Sequence, residues 1–376
     1  MAGQRRRLRV LLIIKGLGHG GAEKLLVDVV ANGDSESFSY EVAYVLDRYD
    51  SLAGDFAVPV HSLGATRDVD LRWLRELRRI LTSQKYDIVH FHLPYPASLG
   101  RLVVRTLPPS HRPRVVYTEH CEWNRVALPL RALNRATIHG DDALINVSES
   151  SRDALPRRIK ERSEVIIHGI DLSQSAALRV NRDQTRAEVR AEIGIPPGDV
   201  MVLTVANLRA QKAYDVLLDA ARIVLDSGAP ITFVSVGHGY LKEQLEARRR
   251  ALGLGDKFKF LGLRTDVLRI MTAADVFALP SYFEGLPVTL MEATSVGLPV
   301  VATPVGEIPR LFTDGKDALL VTPGDSVGLA KALERLAGDD ELRRKLADSS
   351  LLLSSRFDVG NATRRIEQIY GDLPVH

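Results

Sequence analysis

The sequence predicts an α/β protein made of two doubly wound, Rossmann-like parallel-sheet domains facing a central cleft. Three observations predict it. Aliphatic runs of strand length alternate along the chain with segments of helical spacing, a pattern that implies right-handed βαβ units. The alternation breaks once, over the polar residues 173–198, which end in Ile195-Pro196-Pro197-Gly198. The length, 376 residues, suits two or three domains. The expected division is 1–175 for the first domain and 176–355 for the second.

Residues 8–14 are continuously aliphatic, as expected of a central strand buried on both faces. A glycine-rich loop follows at 15–21, then helical spacing at 22–32. Residues 41–46 read as the next strand and 71–81 as a basic amphipathic helix. Further strands are expected at 87–91, 114–118, 143–147 and 164–167. A second alternating set occupies 200–205, 232–236, 258–261, 275–279, 299–302 and 318–321. The final stretch, 355–370, is polar and helix-like. In open sheets of this kind ligands sit outside the carboxyl ends of the strands, here expected in the cleft between the domains.

Hydrophobic residues make up 45% of the chain and charged residues 26%, so a sizeable core is available. A net charge of +3 is too balanced for a nucleic-acid partner. Charge is nevertheless uneven: residues 1–175 carry 25 Lys+Arg and 21 Asp+Glu, the remainder 25 and 26. Seven arginines (Arg101, Arg105, Arg112, Arg114, Arg125, Arg131, Arg135) stand against Glu119 and Glu122 over residues 99–135. That patch fits a phosphate-bearing partner, an anionic membrane surface, or simply a solvated face. The single cysteine, Cys121, rules out a disulfide framework and points to a reducing compartment. The N-terminal apolar run stops at Lys15 without a cleavage signal, so it reads as a buried strand rather than a leader. No run approaches the roughly 20 apolar residues of a membrane span. The expected location is cytoplasmic, with peripheral attachment at the inner face of a membrane as an added expectation.

Residues 281–292, SYFEGLPVTLME, carry the densest chemistry. They follow a strand and turn through Glu284-Gly285-Leu286-Pro287 into a helical pattern. Seven residues separate Glu284 from Glu292, which two helical turns would place about 11 Å apart. That spacing suits opposite ends of one elongated polar ligand, and exceeds what a pair sharing one scissile bond needs. A helix N-terminus between the two acids favours negative charge there. Arg209 and Lys212, just after the first strand of the second domain, could hold a diphosphate without metal.

Gly16-Leu17-Gly18-His19-Gly20-Gly21 matches G-x-G-x-x-G, with Asp47 ending the next strand. This admits a dinucleotide site, and hence an NAD-dependent oxidoreductase. A phosphate-binding or acceptor-facing loop and a purely structural βα turn fit the same glycines. Asp68-Val69-Asp70 has metal-like spacing, but precedes a helix where Asp is an ordinary first-turn residue. His90 and His92 share one strand face without a carboxylate or cysteine to complete a zinc set, so they read as walls of the cleft. His120 is a further cleft candidate.

Taken together, several segments resemble the retaining, nucleotide-sugar-dependent glycosyltransferases of GT-B architecture, family 4 type. They are GHGGAE at 18–23, DIVHFH at 87–92, TEH at 118–120, VSES at 147–150, HGID at 168–171, ANLRAQKAYDVLL at 206–218 and ADVFALPSYFEGLPVTLMEATSVGLPVVATPVGEIP at 274–309. The resemblance implies that Glu284 holds donor-sugar hydroxyls and Glu292 the ribose. It implies that Arg209 and Lys212 hold the departing diphosphate, with Gly285 and Leu286 offering backbone N–H groups. It places His120 near the reacting bond, and Gly20, Gly21 and His92 on the acceptor or phosphate side. It implies a last helix, 356–376, that crosses back to the first domain. Expected partners are a nucleoside-diphosphate sugar and a saccharide or lipid-linked acceptor; no cofactor and no metal are expected. Two positions depart from the family's usual Lys-Gly and Asn-Gly: Lys212-Ala213 and His168-Gly169. A sugar-nucleotide sensor without turnover remains the non-enzymatic alternative.

Overall fold

The computed structural model describes residues 6–18, 20–47, 52–120, 123 and 126–374. The chain divides into two units, Met1–Gly169 with Val359–His376, and Ile170–Asp358. The first boundary therefore falls before residue 175, and the last before Val359 rather than 356. A pairing inside the second unit accounts for both: Ile170 N–H donates to Phe357 O at 2.8 Å, and Ile170 bridges Asp358.

The first unit holds seven parallel strands: β1 (Leu8–Gly16), β2 (Phe38–Leu46), β3 (Val60–Ala65), β4 (Ile88–His92), β5 (Arg114–Glu119), β6 (Ala143–Asn146) and β7 (Ser163–Val165). Their spatial order is β3-β2-β1-β4-β5-β6-β7. Strand β1 shows why the sheet is doubly wound. Leu11 and Ile13 enter one hydrophobic core with Trp73, Leu77 and Phe91, whereas Val10, Leu12 and Ile14 enter another with Leu26, Ile366 and Tyr370. The helix Val359–Asp372 sends Ala362, Ile366 and Tyr370, one helical face, into that second core. Its Glu367 accepts from the Asp34 N–H at 2.7 Å and from Tyr40 Oη at 2.8 Å.

The second unit holds six parallel strands: β8 (Val200–Val205), β9 (Ile231–Val236), β10 (Phe258–Phe260), β11 (Val276–Leu279), β12 (Val300–Ala302) and β13 (Leu319–Leu320), ordered β10-β9-β8-β11-β12-β13. The polar segment after Gly169 is not an open linker. It forms helices Leu172–Val180 and Arg182–Ile193, the first capped by Asp171, which accepts from Ser173 N–H at 2.8 Å. Arg186 and Arg190 tie the second of these to Asp275 at 2.7 and 2.9 Å. Strand β3 was not expected; its half-exposed HSLGA pattern is too short and polar to signal an edge strand. Among the described residues no helix is long and apolar enough to cross a membrane.

Candidate functional site

In each sheet the strand order reverses between the first and fourth strands, and such reversals open a crevice at the carboxyl ends. In the second unit the reversal lies between β8 and β11. The loop after β8 carries Arg209 and Lys212, and the loop after β11 carries Glu284. The two meet directly. Lys212 Nζ lies 2.6 Å from Glu284 Oε1, and Ser281 Oγ donates to the same oxygen at 2.6 Å. Glu284 is 7% exposed, so this ion pair is largely withdrawn from water. Oε2 has no partner among the described residues. Arg209 is exposed, and its guanidinium has no partner among the described residues.

Backbone contacts lock these loops. Tyr282 N–H donates to Gln211 O at 2.9 Å, joining the two loops that bear Lys212 and Glu284. Glu307 N–H donates to Gly285 O at 3.1 Å, and Thr303 Oγ1 to Ser281 O at 2.6 Å. Gly306, at φ +59°, lies so close that a Cβ would sit 2.1 Å from Glu284 O, so only glycine fits there. Ala213 occupies the left-handed region, φ +50° and ψ +43°, and is fully buried. A glycine at that position would be free of the steric cost Ala213 bears. The N–H groups of Gly285 and Leu286 have no acceptor among the described residues.

The segment between the two acids differs from expectation. Its helix runs Val288–Ser295, so Glu292 lies barely one turn inside it and Glu284 stands in an extended loop. The two-turn, roughly 11 Å spacing therefore does not describe the segment. Pro287 disfavours helical backbone at Leu286, which delays the start. Glu292 is half-buried on that helix.

In the first unit the reversal lies between β1 and β4. Gly20 caps and Gly21 begins helix Gly21–Ala31 after β1, and His92 ends β4. His92 Nδ1 lies 3.1 Å from His120 Nε2. His90 and His92 lie tilted at 32° with ring centroids 4.2 Å apart, and His120 stacks on His168 at 5.5 Å and 17°. Burial holds all four imidazoles well below the usual histidine range, His168 at about 4. His90 also contacts Tyr370 Oη at 2.5 Å and Thr118 Oγ1 at 2.7 Å. His90 was expected only as a wall of the cleft, and no role was expected of the side chains of His168 and Ser281. Ser281-x-x-Glu284 carried a readable signal, the spacing of a hydroxyl and a carboxylate that fold back on each other; the His90-x-His92 spacing was readable too, but the approach of His120 and His168 was not, because these lie far along the chain.

Other motifs resolve into ordinary structure. Gly16 lies inside β1, paired with Leu46, so the first glycine of the dinucleotide pattern is not in a turn where a pyrophosphate could approach it. Asp47 accepts from Ser62 Oγ at 2.7 Å. Asp68 pairs with Lys15 at 2.9 Å, and Asp70 accepts from the backbone and guanidinium of Arg72 ahead of helix Trp73–Ser83, a local capping role. The Arg72 guanidinium holds Asp70 well below the usual carboxylate range. Among the described residues no three His, Cys, Asp or Glu side chains form a metal-holding group. The arginine run is not one surface. Arg101 is buried and binds Asp141 through both guanidinium ends, at 2.7 and 2.6 Å. Arg105, Arg112 and Arg114 line, together with Arg101, an open pocket of about 370 Å³. His19, Cys121, Glu122 and Arg125 lie outside the described residues.

Comparison with known proteins agrees with this layout. The family model "Glycosyl transferases group 1" matches residues 185–350, and "Glycosyltransferase Family 4" matches 19–174. The chain is 26% identical to the UDP-Gal:alpha-D-GlcNAc-diphosphoundecaprenol alpha-1,3-galactosyltransferase of Escherichia coli, covering 88% of this chain and 87% of that one. It is 25% identical to a D-inositol 3-phosphate glycosyltransferase of Corynebacterium aurimucosum, covering 97% and 82%. Among solved structures, Anabaena Alr3699/HepE in complex with UDP-glucose superposes with a TM-score of 0.82 at 22% identity, over 98% of this chain and 100% of that one. WaaG, a glycosyltransferase of lipopolysaccharide biosynthesis, gives 0.74 at 17% identity, over 97% and 100%. With two family matches in register with its two sheets and relatives along nearly its whole length, the chain belongs to the nucleotide-sugar-dependent glycosyltransferases of GT-B fold, family 4 type.

Proposed function

We propose that the chain transfers a sugar from a nucleoside-diphosphate sugar to a hydroxyl acceptor with retention of anomeric configuration, in polysaccharide or glycolipid biosynthesis. The observation that carries the reading is the Lys212–Glu284 pair at the strand-order reversal of the second unit, with Arg209 free on the same loop. Lys212 has three N–H donors and Glu284 takes one. The others are available to a phosphate oxygen, so one ammonium can join a sugar-binding carboxylate to the departing diphosphate. Glu284 Oε2 accepts a sugar hydroxyl, and Glu292 accepts from the ribose. As the glycosidic bond breaks, charge gathers on the diphosphate. Arg209, Lys212 and the N–H groups of Gly285 and Leu286 offset it without reorganising.

Among the described residues no carboxylate reads as a nucleophile, so the leaving phosphate oxygen takes the acceptor proton in a front-face transfer, without metal. Gly20 and Gly21 serve the acceptor or phosphate side and His120 the reacting bond, with His92 buried behind His120. The E. coli relative's diphosphoundecaprenol substrate supports a lipid-linked saccharide as acceptor; that the chain reaches it from the cytoplasm, at the inner face of an anionic membrane, is part of the same proposal. Incubation with a panel of nucleoside-diphosphate sugars and lipid-linked saccharides tests the reading. Diphosphate release, unaffected by a chelator, and an axial product linkage from an axial donor by NMR are expected. Product of inverted configuration, or no transfer from any donor, overturns it. Binding to anionic but not neutral vesicles tests the membrane contact, and indifference to lipid charge contradicts it.

A further inference from the structure

We infer that His92 is a positioning residue that fixes His120 in the Nδ1–H tautomer, so that His120 meets its ligand as a hydrogen-bond donor through Nδ1. The argument is an accounting of protons in the buried imidazole column. One hydrogen bond joins His92 Nδ1 and His120 Nε2 at 3.1 Å, and one of these atoms must supply the proton. His92 Nε2 is buried and has no partner among the described residues.

If His120 donated, the neutral His92 would carry its own proton on Nε2, leaving a buried N–H without an acceptor. Orphaned buried N–H groups are rare and cost about 1–3 kcal/mol. If His92 donates from Nδ1, its bare Nε2 is left as an unused acceptor, the milder defect. The void beside the rings is about 10 Å³ and is walled largely by Leu12, Leu25, Leu26, Val29 and Ile366, so it offers no water to reverse the choice. Burial keeps the rings neutral, which excludes a doubly protonated partner.

The rest of the column holds His92 in place. Tyr370 Oη is buried, and His90 Nδ1 is the acceptor within reach of its proton. His90 then donates from Nε2 to Thr118 Oγ1, and its ring packs, tilted, against His92. The last helix is thereby connected, through Tyr370 and His90, to the ring that sets His120. His168 closes the other face of His120 by parallel stacking. His120 itself is only half-buried, and its Nδ1 has no partner among the described residues. It is the ring nitrogen of the pair left able to donate to a ligand.

The inference rests on the proposed role of His120 in transfer, and its test is read partly on the free protein. Ring-nitrogen NMR of ¹⁵N-histidine-labelled protein, assigned with His120→Gln, reports which nitrogen carries the proton. Wild type is expected to show His120 protonated at Nδ1. His92→Asn keeps a donor where Nδ1 stood and should preserve that signal. His92→Leu should shift His120 toward Nε2–H and lower kcat about 10- to 100-fold, as loss of an orienting partner does for a histidine ligand, with donor KM little changed. Rescue by His92→Asn separates positioning from mere packing. An Nε2–H signal for His120 in wild type overturns the inference, as does wild-type kcat in His92→Leu. The NMR result does not depend on which donor or acceptor is used, so failure of the proposed transfer reaction is distinguishable from failure of the tautomer assignment.

Discussion

Acidification should unfold the first unit before the rest of the chemistry is affected. His90, His92 and His168 are buried there, and His120 half-buried, as neutral rings, each held below its unfolded value of 6.5 chiefly by desolvation. A base whose folded pKa is depressed binds fewer protons folded than unfolded, so stability falls as pH drops below 6.5. With all four rings neutral in the fold, lowering pH from 7.5 to 5.5 removes about 5 kcal/mol. Asp141 acts in the opposite sense. Burial raises it to about 6, so it protonates in the fold first and returns about 1 kcal/mol over the same interval. The net loss is about 4 kcal/mol, a large part of a domain's usual 5–15 kcal/mol. The two tryptophans of the chain, Trp73 and Trp123, both lie in the first unit, so their fluorescence follows that unit alone. At a urea slope of about 2 kcal/mol per molar, the midpoint should fall by about 2 M. His168→Asn should reduce the net loss by about a third. A midpoint shift below about 0.5 M would refute the neutral-column reasoning.

Lys212→Ala should lower turnover about 100- to 1000-fold, and Glu284→Ala similarly, with far-UV circular dichroism unchanged; near-normal rates in both would contradict the site. Ala213→Gly should change stability by no more than about 1 kcal/mol, because relief of left-handed strain offsets the lost buried methyl. Ala213→Val should cost more than about 2 kcal/mol in thermal unfolding, since a β-branched residue there adds strain and overpacking. Arg101→Ala leaves Asp141 buried without its cation and should cost about 3–5 kcal/mol in the tryptophan-monitored urea transition.

The long aliphatic strands and the donor-side loops were legible because local pattern decides them. Strand β8 falls on the residues its run of branched side chains marks. Arg209, Lys212 and Glu284 were readable from their places after strands, and the fold brings the last two into contact. What depends on long-range packing was not readable. The helices at 172–193 are polar because they bury few side chains and are held through arginine contacts to residues far along the chain. Arg101 looked like surface charge until Asp141, forty residues on, enclosed it. The helix start at Val288 hinged on one proline, which a spacing count over residues 284–292 does not weigh. The histidine column assembles from one strand and two later loops, so only its His90–His92 pair shows in neighbouring residues.

Calorimetric titration of the full chain with a nucleoside-diphosphate sugar and with the bare nucleoside diphosphate tests the central claim most directly, UDP-glucose and UDP being the first pair to try. The account predicts that Glu284→Gln abolishes the extra affinity due to the sugar while leaving the diphosphate's own binding nearly intact, and that Glu292→Gln weakens both ligands together. Equal binding of both ligands by wild type and the two variants, or tight binding of NADH in their place, would contradict it.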